Sequence, residues 1–144
     1  MKKLLNILLA EDNSNDIELS LAAFKEHNIV NRVDIVKNGV EVMDYLLYRE
    51  KYKDREKTKP CVILLDIKMP KKDGIEVLTE IRKHPDLKMI PVVMLTSSNL
   101  DKDIIESYNL GVNAYIVKPV DFTAFVDAVK NIGIMWAILN KTPF

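Results

Sequence analysis

Four short apolar runs, each followed at once by charged or hydroxyl-bearing residues, constrain the fold of this chain most strongly. The runs and their polar endings are Ile7-Leu8-Leu9-Ala10 before Glu11-Asp12, Val62-Ile63-Leu64-Leu65 before Asp66, Val92-Val93-Met94-Leu95 before Thr96, and Tyr115-Ile116-Val117 before Lys118-Pro119. A continuous run of branched residues is typical of a strand that is buried on both faces. If these strands are parallel, their polar endings gather at one edge of the sheet, where open α/β sheets build their sites.

Strand-like and helix-like segments alternate along the chain. The predicted strands are Leu5–Ala10, Val33–Val36, Val62–Leu65, Pro91–Leu95 and Ala114–Val117. Five helices are predicted. The first begins near Asn15, the second covers Val40–Tyr48, the third covers Gly74–Lys83, and the fourth runs from Ser98 or Leu100 to Gly111. The fifth follows an Asp121 cap and has an apolar stripe from Phe122 to Leu139. Such alternation predicts an α/β fold with one doubly wound, five-stranded parallel sheet and helices on both faces.

Composition narrows the class of protein further. The length of 144 residues predicts a single domain, and Lys+Arg 21 balance Asp+Glu 21, so no basic field attracts nucleic acid. The single cysteine, Cys61, is expected to be a buried strand residue in a reducing compartment. The apolar stretch Ile132–Leu139 is too short to span a bilayer, which needs ~20 residues. We expect a soluble, cytoplasmic protein with no membrane partner.

The segment Arg49–Pro60 differs from the rest of the chain because it is densely charged. Its basic residues are Arg49, Lys51, Lys53, Arg55, Lys57 and Lys59, and its acidic residues are Glu50, Asp54 and Glu56. A solvated helix extension and loop is the simpler interpretation. An insertion that faces an acidic partner is the alternative, since basic clusters steer such partners.

The carboxylates at the strand ends predict a metal site. Glu11, Asp12 and Asp66 would repel one another if the sheet brought them together without a cation. Oxygen ligands that leave room for water suit Mg²⁺ better than zinc or a dedicated calcium site. His27 and His84 stand apart in the sequence, so no His/Cys cluster competes with this interpretation.

A carboxylate beside Mg²⁺ indicates phosphoryl transfer, since carboxylates form aspartyl-phosphates. Lys118 would supply a cation to the phosphoryl oxygens, and Thr96 would donate a hydroxyl hydrogen bond. Taken singly, each residue has an ordinary structural interpretation: Asp66 as a turn residue, Thr96 as a strand-end hydroxyl and Lys118 as a solvated charge. Together, at the ends of four apolar strands, they favour a site.

These residues are also where the chain resembles a known family, the receiver domains of two-component response regulators. The matching motifs are Glu11-Asp12, Leu65-Asp66-Ile67-Lys68-Met69-Pro70 with Asp73-Gly74, Leu95-Thr96-Ser97 and Lys118-Pro119. The resemblance covers essentially the whole chain. It implies a flavodoxin-like sheet in the order 2-1-3-4-5 and a single receiver domain over residues 1–144, with no output domain.

The resemblance also implies roles for the site residues. Asp66 would accept a phosphoryl group from a sensor histidine kinase or a histidine phosphotransfer protein. Mg²⁺ would be bound by Asp12, Asp66 and the backbone carbonyl of Lys68, and mainly through water by Glu11. Thr96 and Lys118 would contact the phosphoryl group, and Lys118-Pro119 would be a cis peptide. Tyr115 occupies the aromatic switch position, and an ordinary strand aromatic is the alternative interpretation.

A narrower resemblance is to the stand-alone regulators that partner with bacterial phytochromes. It rests on the charged insertion, on Pro91–Ser98, on Tyr108-Asn109-Leu110 with Asn113-Ala114-Tyr115, and on a terminal helix that carries Trp136. It implies a homodimer through the fourth and fifth helices and the last strand, with Tyr108, Phe122 and Trp136 as candidate contacts. The less acidic C-terminal ending leaves the dimer geometry open, and the kinase need not be a phytochrome.

Three other functions are compatible with a parallel sheet of this kind. A phosphatase or mutase that uses an aspartyl-phosphate needs an acid two residues beyond the nucleophile, where this chain has Lys68. A nucleotide- or flavin-binding module lacks support because no glycine-rich phosphate motif is present. A receiver-like adaptor that is never phosphorylated usually lacks part of the acidic site. We therefore expect a phosphoacceptor switch with self-catalysed phosphorylation and dephosphorylation only, in which phosphorylated Asp66 changes the partner preference of the face around Tyr115.

Overall fold

The computed structural model describes residues 5–97 and 110–138. Within them, five parallel strands form one sheet in the order β2-β1-β3-β4-β5. The strands are β1 (Ile7–Ala10), β2 (Val33–Val36), β3 (Val62–Asp66), β4 (Val92–Thr96) and β5 (Ala114–Val117). The predicted fold class and strand order are confirmed. β3 and β4 extend one residue further than predicted, so Asp66 and Thr96 are the last residues of their strands.

Helices cover both faces of the sheet. They are α1 (Ser14–Glu26), α2 (Gly39–Leu46), α3 (Gly74–Lys83) and the C-terminal helix (Phe122–Ile132), with short 3₁₀ turns at Glu50–Tyr52 and Met135–Ala137. α2 and α3 pack on one face with Leu8, Ile63 and Met94 of the strands. α1 and the C-terminal helix pack on the other face with Leu9, Leu64 and Leu95. The central strands β1, β3 and β4 therefore supply both cores, which explains their continuous apolar sequences.

The starts of two helices are corrected by the structure. α1 is capped by Asn13, whose side chain accepts a hydrogen bond from the backbone N–H of Asp16; the prediction of Asn15 as the cap was wrong. α2 begins at Gly39 with Asn38 as its cap. It ends at Leu46 instead of Tyr48, because Tyr48 has the left-handed φ of 57°. The predicted bounds of α3 and the Asp121 cap of the C-terminal helix are confirmed.

The C-terminal helix ends earlier than its apolar stripe predicted. Gly133 adopts a φ of 85°, and its N–H bonds back to the carbonyls of Val129 and Lys130. Such a left-handed glycine terminates a helix, so Trp136 lies in a separate 3₁₀ turn. Leu139 and most of the predicted fourth helix lie outside the described residues, although Gly111 does have the expected left-handed φ, 74°.

The charged segment folds back onto α2. The Arg55 guanidinium lies 3.8 Å from the centre of the Tyr45 ring and 4.5 Å from that of Tyr48. It also donates hydrogen bonds to the Tyr45 carbonyl, and the Tyr52 hydroxyl donates one to Glu41 at 2.7 Å. The segment is thus a 3₁₀ turn and loop anchored by cation–π and polar contacts. In the part of the chain that the structure describes, no helix is both long and apolar enough to cross a membrane.

Candidate functional site

The carboxyl ends of the central strands bring the predicted polar residues together. β3 lies between β1 and β4, with Ala10 paired to Leu65 and Asp66 paired to Leu95. Each polar ending therefore stands beside that of the neighbouring strand. This register follows from the matching lengths of the apolar runs, because a slip along the strands would carry polar residues into the core.

Lys118 is the cation of this site. Its ammonium lies 3.1 Å from Glu11 Oε1, 3.1 Å from Asp16 Oδ2 and 3.1 Å from Asp66 Oδ2. Burial by itself would lower the pKa of Lys118. The hydrogen bond to Asp16 and the charge of and hydrogen bond to Asp66 outweigh burial and raise that pKa above its ordinary value. Lys118 is therefore held as a charged donor.

Three carboxylates form a cluster with the dimensions of a metal site. Glu11, Asp12 and Asp66 each offer one oxygen, and these oxygens lie within 4.8 Å of one another. Glu11 and Asp66 are buried, whereas Asp12 is exposed. Burial, a hydrogen bond shared with Asp66 and the Asp66 charge raise the pKa of Glu11 to about 7. Negative charge thus exceeds what one ammonium balances, and an oxygen-only donor set fits a hard divalent cation.

Backbone contacts fix the position of Asp66. The N–H of Lys68 donates to Asp66 Oδ1 at 3.3 Å, and the N–H of Ile67 donates to the Leu95 carbonyl at 3.0 Å. The loop then turns back, and the N–H of Gly74, the first residue of α3, donates to the Ile67 carbonyl at 2.7 Å. The two oxygens of Asp66 consequently face different donors: a backbone amide on one side and Lys118 on the other.

α3 holds the loop after Asp66 through its capping box. Asp73 accepts a hydrogen bond from the N–H of Glu76, and Glu76 accepts one from the N–H of Asp73. Gly74 is required beside this box because a Cβ there would lie 2.4 Å from the Asp66 carbonyl oxygen. The Asp-Gly pair of the predicted motif thus allows α3 to start against the backbone of Asp66.

The other predicted residues surround this centre. Thr96 is fully buried at the end of β4, and its carbonyl accepts a hydrogen bond from the Lys118 N–H at 2.7 Å. The Lys118-Pro119 peptide is cis. Tyr115 is half-buried and packs against the core on the α2 and α3 face. The side-chain roles of Thr96 and Tyr115, and that of the Lys68 carbonyl, stay predictions.

Two of the three candidate dimer contacts, Phe122 and Trp136, lie in the described residues, and their role in a dimer stays a prediction. Phe122 stacks on His27 of its own chain, with ring centres 3.9 Å apart. Trp136 is exposed and lines a cavity of about 290 Å³ with Leu5 and Pro91, at the opposite edge of the sheet from Asp66. Tyr108 lies outside the residues that the structure describes. Cys61 is partly buried, and burial raises the pKa of its thiol to about 11.

Asp16 is the site residue that the sequence interpretation missed. With Asn13 as the cap, Asp16 is the third residue of α1, and the helix start brings it to Lys118. The predicted cap at Asn15 obscured this role, because it made Asp16 the first residue of the helix instead of the third. No local sequence rule pairs Asp16 with Lys118, because the contact depends on where α1 begins.

Comparisons with known proteins agree with this geometry. The family model for the response regulator receiver domain matches residues 7–130. Response regulator Rcp1 of Synechocystis sp. is 40% identical over 90% of this chain and 87% of its own length. It has also been solved in a Mn²⁺-bound form, which is 38% identical with a TM-score of 0.73 and covers 97% of this chain and 99% of its own.

Two further solved structures are regulators of phytochrome systems. The bacteriophytochrome response regulator RtBRR is 48% identical, has a TM-score of 0.90 and covers 98% of this chain and 85% of its own. The phosphorylated cyanobacterial phytochrome response regulator RcpA is 41% identical, with a TM-score of 0.74 and coverage of 93% and 94%. The narrower resemblance is therefore confirmed, and the chain belongs to the response regulator receiver domain family.

Proposed function

We propose that this protein is a phosphorelay response regulator that accepts a phosphoryl group on Asp66. The donor is a sensor histidine kinase or a histidine phosphotransfer protein, which need not be a phytochrome. The observation that carries the proposal is the position of Asp66, which stands between an acidic cluster suited to a metal and the Lys118 ammonium 3.1 Å away. The relative RcpA, solved in a phosphorylated form, supports this assignment.

The step transfers a phosphoryl group from nitrogen to oxygen. An Asp66 oxygen attacks phosphorus, a P–O bond forms, and the P–N bond of the donor phosphohistidine breaks. The electron pair of that bond stays on the donor nitrogen, and the imidazole, protonated beforehand on its other nitrogen, leaves neutral. Lys118 donates N–H groups to the phosphoryl oxygens, and the Thr96 hydroxyl adds a donor from the next strand.

The residues present fit Mg²⁺ as the cofactor. Asp12 and Asp66, with the backbone carbonyl of Lys68, would hold it, and Glu11 would contact it through water. Bound there, Mg²⁺ would neutralise charge on the phosphoryl oxygens. The relative Rcp1, solved in a Mn²⁺-bound form, supports a divalent metal ion as the cofactor. Lys118 contacts Asp66 Oδ2 at 3.1 Å, whereas the N–H of Lys68 contacts Oδ1, so the ammonium would lie next to a phosphoryl group bound to Asp66.

Phosphorylation would act by shifting a population of conformations. Lys118 and Thr96 lie at the ends of β5 and β4, so contacts to a phosphoryl group act on the strands that carry Tyr115. We propose that the face formed by the predicted fourth helix, β5 and the C-terminal helix then changes its preference for a partner, including a second copy of the chain. The balanced charge and single cysteine are consistent with a cytoplasmic signalling protein whose partners are proteins and not nucleic acid.

Intact mass after incubation with phosphoramidate and Mg²⁺ tests the proposal. We expect one phosphoryl adduct on the wild-type chain, none on Asp66→Asn, and none on the wild type when EDTA removes the metal. Asp86→Asn is the matched control, because Asp86 is exposed at the opposite edge of the sheet and should keep the adduct. An adduct that survives Asp66→Asn, or a wild type that takes none, would refute the assignment.

A further inference from the structure

Asp16 holds one of the three hydrogen-bonding positions of the Lys118 ammonium. A lysine ammonium has three N–H donors. The three carboxylates of Glu11, Asp16 and Asp66 each lie 3.1 Å from Lys118 Nζ. All three donors therefore have an acceptor before any phosphoryl group arrives, and one contact must break if Lys118 is to bind the new oxygens.

The burial of the three acceptors indicates which contact breaks. The Glu11 side chain is 1% exposed and that of Asp66 is 5% exposed, whereas that of Asp16 is 28% exposed. A carboxylate that leaves an ammonium needs water or another donor in its place. Asp16 stands at the solvent side, where water can replace the lost contact, so its release costs least.

We propose that Asp16 is a positioning residue that restrains phosphorylation by occupying an N–H of Lys118 that would otherwise be donated to the incoming phosphoryl oxygens. The inference rests on the proposed phosphoacceptor function of Asp66 and adds a limit on its rate. Asp16 slows phosphorylation in two ways. Its ion pair with Lys118 must open during the transfer, and its negative charge repels the anionic donor.

A purely structural role for Asp16 makes a different prediction. An acidic residue in the first turn of a helix interacts favourably with the helix dipole. Its removal would then lower the thermal midpoint of unfolding without raising the phosphorylation rate. The two roles are therefore separated by measuring the rate and the midpoint on the same variants.

The test is a phosphorylation time course with phosphoramidate and saturating Mg²⁺, followed by intact mass. Asp16→Asn is expected to react about two- to five-fold faster than the wild type, the value of a partly exposed ion pair. Asp16→Ser, a second neutral variant, should behave alike, and Asp16→Glu should restore the wild-type rate. Glu18→Gln removes the same charge from an exposed position on α1 and should leave the rate unchanged.

Salt provides a second readout. The ratio of the Asp16→Asn rate to the wild-type rate should fall toward one as ionic strength rises, because salt screens a partly exposed ion pair. A neutral variant that reacts at the wild-type rate or slower, or an equal gain from Glu18→Gln, would overturn the inference. A wild type that forms no adduct would instead refute the phosphoacceptor function, so the two failures are distinguishable.

Discussion

Substitution of Gly74 by alanine should damage both the stability and the chemistry of this protein. A Cβ on Gly74 would lie 2.4 Å from the carbonyl oxygen of Asp66 and 2.8 Å from the Cα of Ile67. The first distance is about 1 Å shorter than the 3.4 Å at which ordinary contact begins. Both neighbours are backbone atoms, so rotation of a side chain cannot relieve the clash, and either α3 or Asp66 must move.

The size of the effect follows from this displacement. Overpacking of this kind costs ~1–3 kcal/mol, and the smaller entropy of the unfolded alanine chain returns ~0.4–1 kcal/mol. We expect a net loss of ~1–2 kcal/mol in the free energy of unfolding. If Asp66 takes up the shift, a misplacement of ~1 Å lowers the phosphorylation rate by up to ~100-fold.

Urea unfolding and the phosphoramidate time course measure the two effects. Gly133→Ala is the matched control: its Cβ meets nothing within 4 Å, but its φ of 85° strains an alanine by ~1–2 kcal/mol. The two variants should therefore lose similar stability, while Gly74→Ala alone loses phosphorylation rate. Wild-type stability and rate in Gly74→Ala would refute the reasoning that this glycine positions Asp66.

Three further predictions concern the scaffold. Arg82→Ala should lower the free energy of unfolding by ~2 kcal/mol in urea titration, because Arg82 donates to four oxygens in the segments that precede β4 and β5. The substitution of its exposed neighbour, Lys83→Ala, should cost little. Equal losses in the two variants would contradict the stabilising role of the Arg82 hydrogen bonds. Tyr45→Phe should cost ~1–2 kcal/mol, since the buried hydroxyl donates to Asp34 at 2.6 Å; an unchanged urea midpoint would contradict this. Cys61 in the native protein should react with iodoacetamide at neutral pH about 100-fold more slowly than after unfolding, because burial disfavours the thiolate. The native rate should increase as the pH rises toward 11. Equal native and unfolded rates would show that the fold does not raise the pKa of this thiol.

The strand ends were the most predictable part of the site. Each apolar run is long enough for one buried strand, and parallel pairing brings the polar endings together without further information. Asp66, Thr96 and Lys118 were therefore identifiable from the sequence. The hydrogen bonds of Lys118 were not, because they depend on how α1 starts.

The start of α1 was ambiguous because the sequence offers two caps. Asn13 precedes Asp16 by three residues, and Asn15 precedes Glu18 by three, so both match an N-terminal signal. The structure selects Asn13, whose backbone N–H also donates to Glu11 Oε2 at 3.2 Å. A contact to the preceding strand end decided the register of the helix, and local sequence rules do not contain it.

The end of the C-terminal helix was predicted wrongly for a different reason. Apolar residues continue past Ile132 at helical spacing, so periodicity alone extends the helix to Leu139. Gly133 interrupts the stripe, and its N–H and that of Ile134 bond back to the Val129 carbonyl, which ends the helix in a left-handed turn. The glycine was a stronger signal than the stripe that surrounds it.

Chemical trapping of the phosphorylated residue tests the central claim most directly. Sodium borohydride reduces an acyl phosphate to an alcohol, which converts a phosphorylated aspartate to homoserine. After phosphorylation with phosphoramidate and Mg²⁺, reduction and peptide sequencing by mass spectrometry, we predict homoserine at position 66 alone. Homoserine at Asp12, or an adduct that resists borohydride and remains on a hydroxyl residue, would contradict the assignment of Asp66 as the phosphoacceptor.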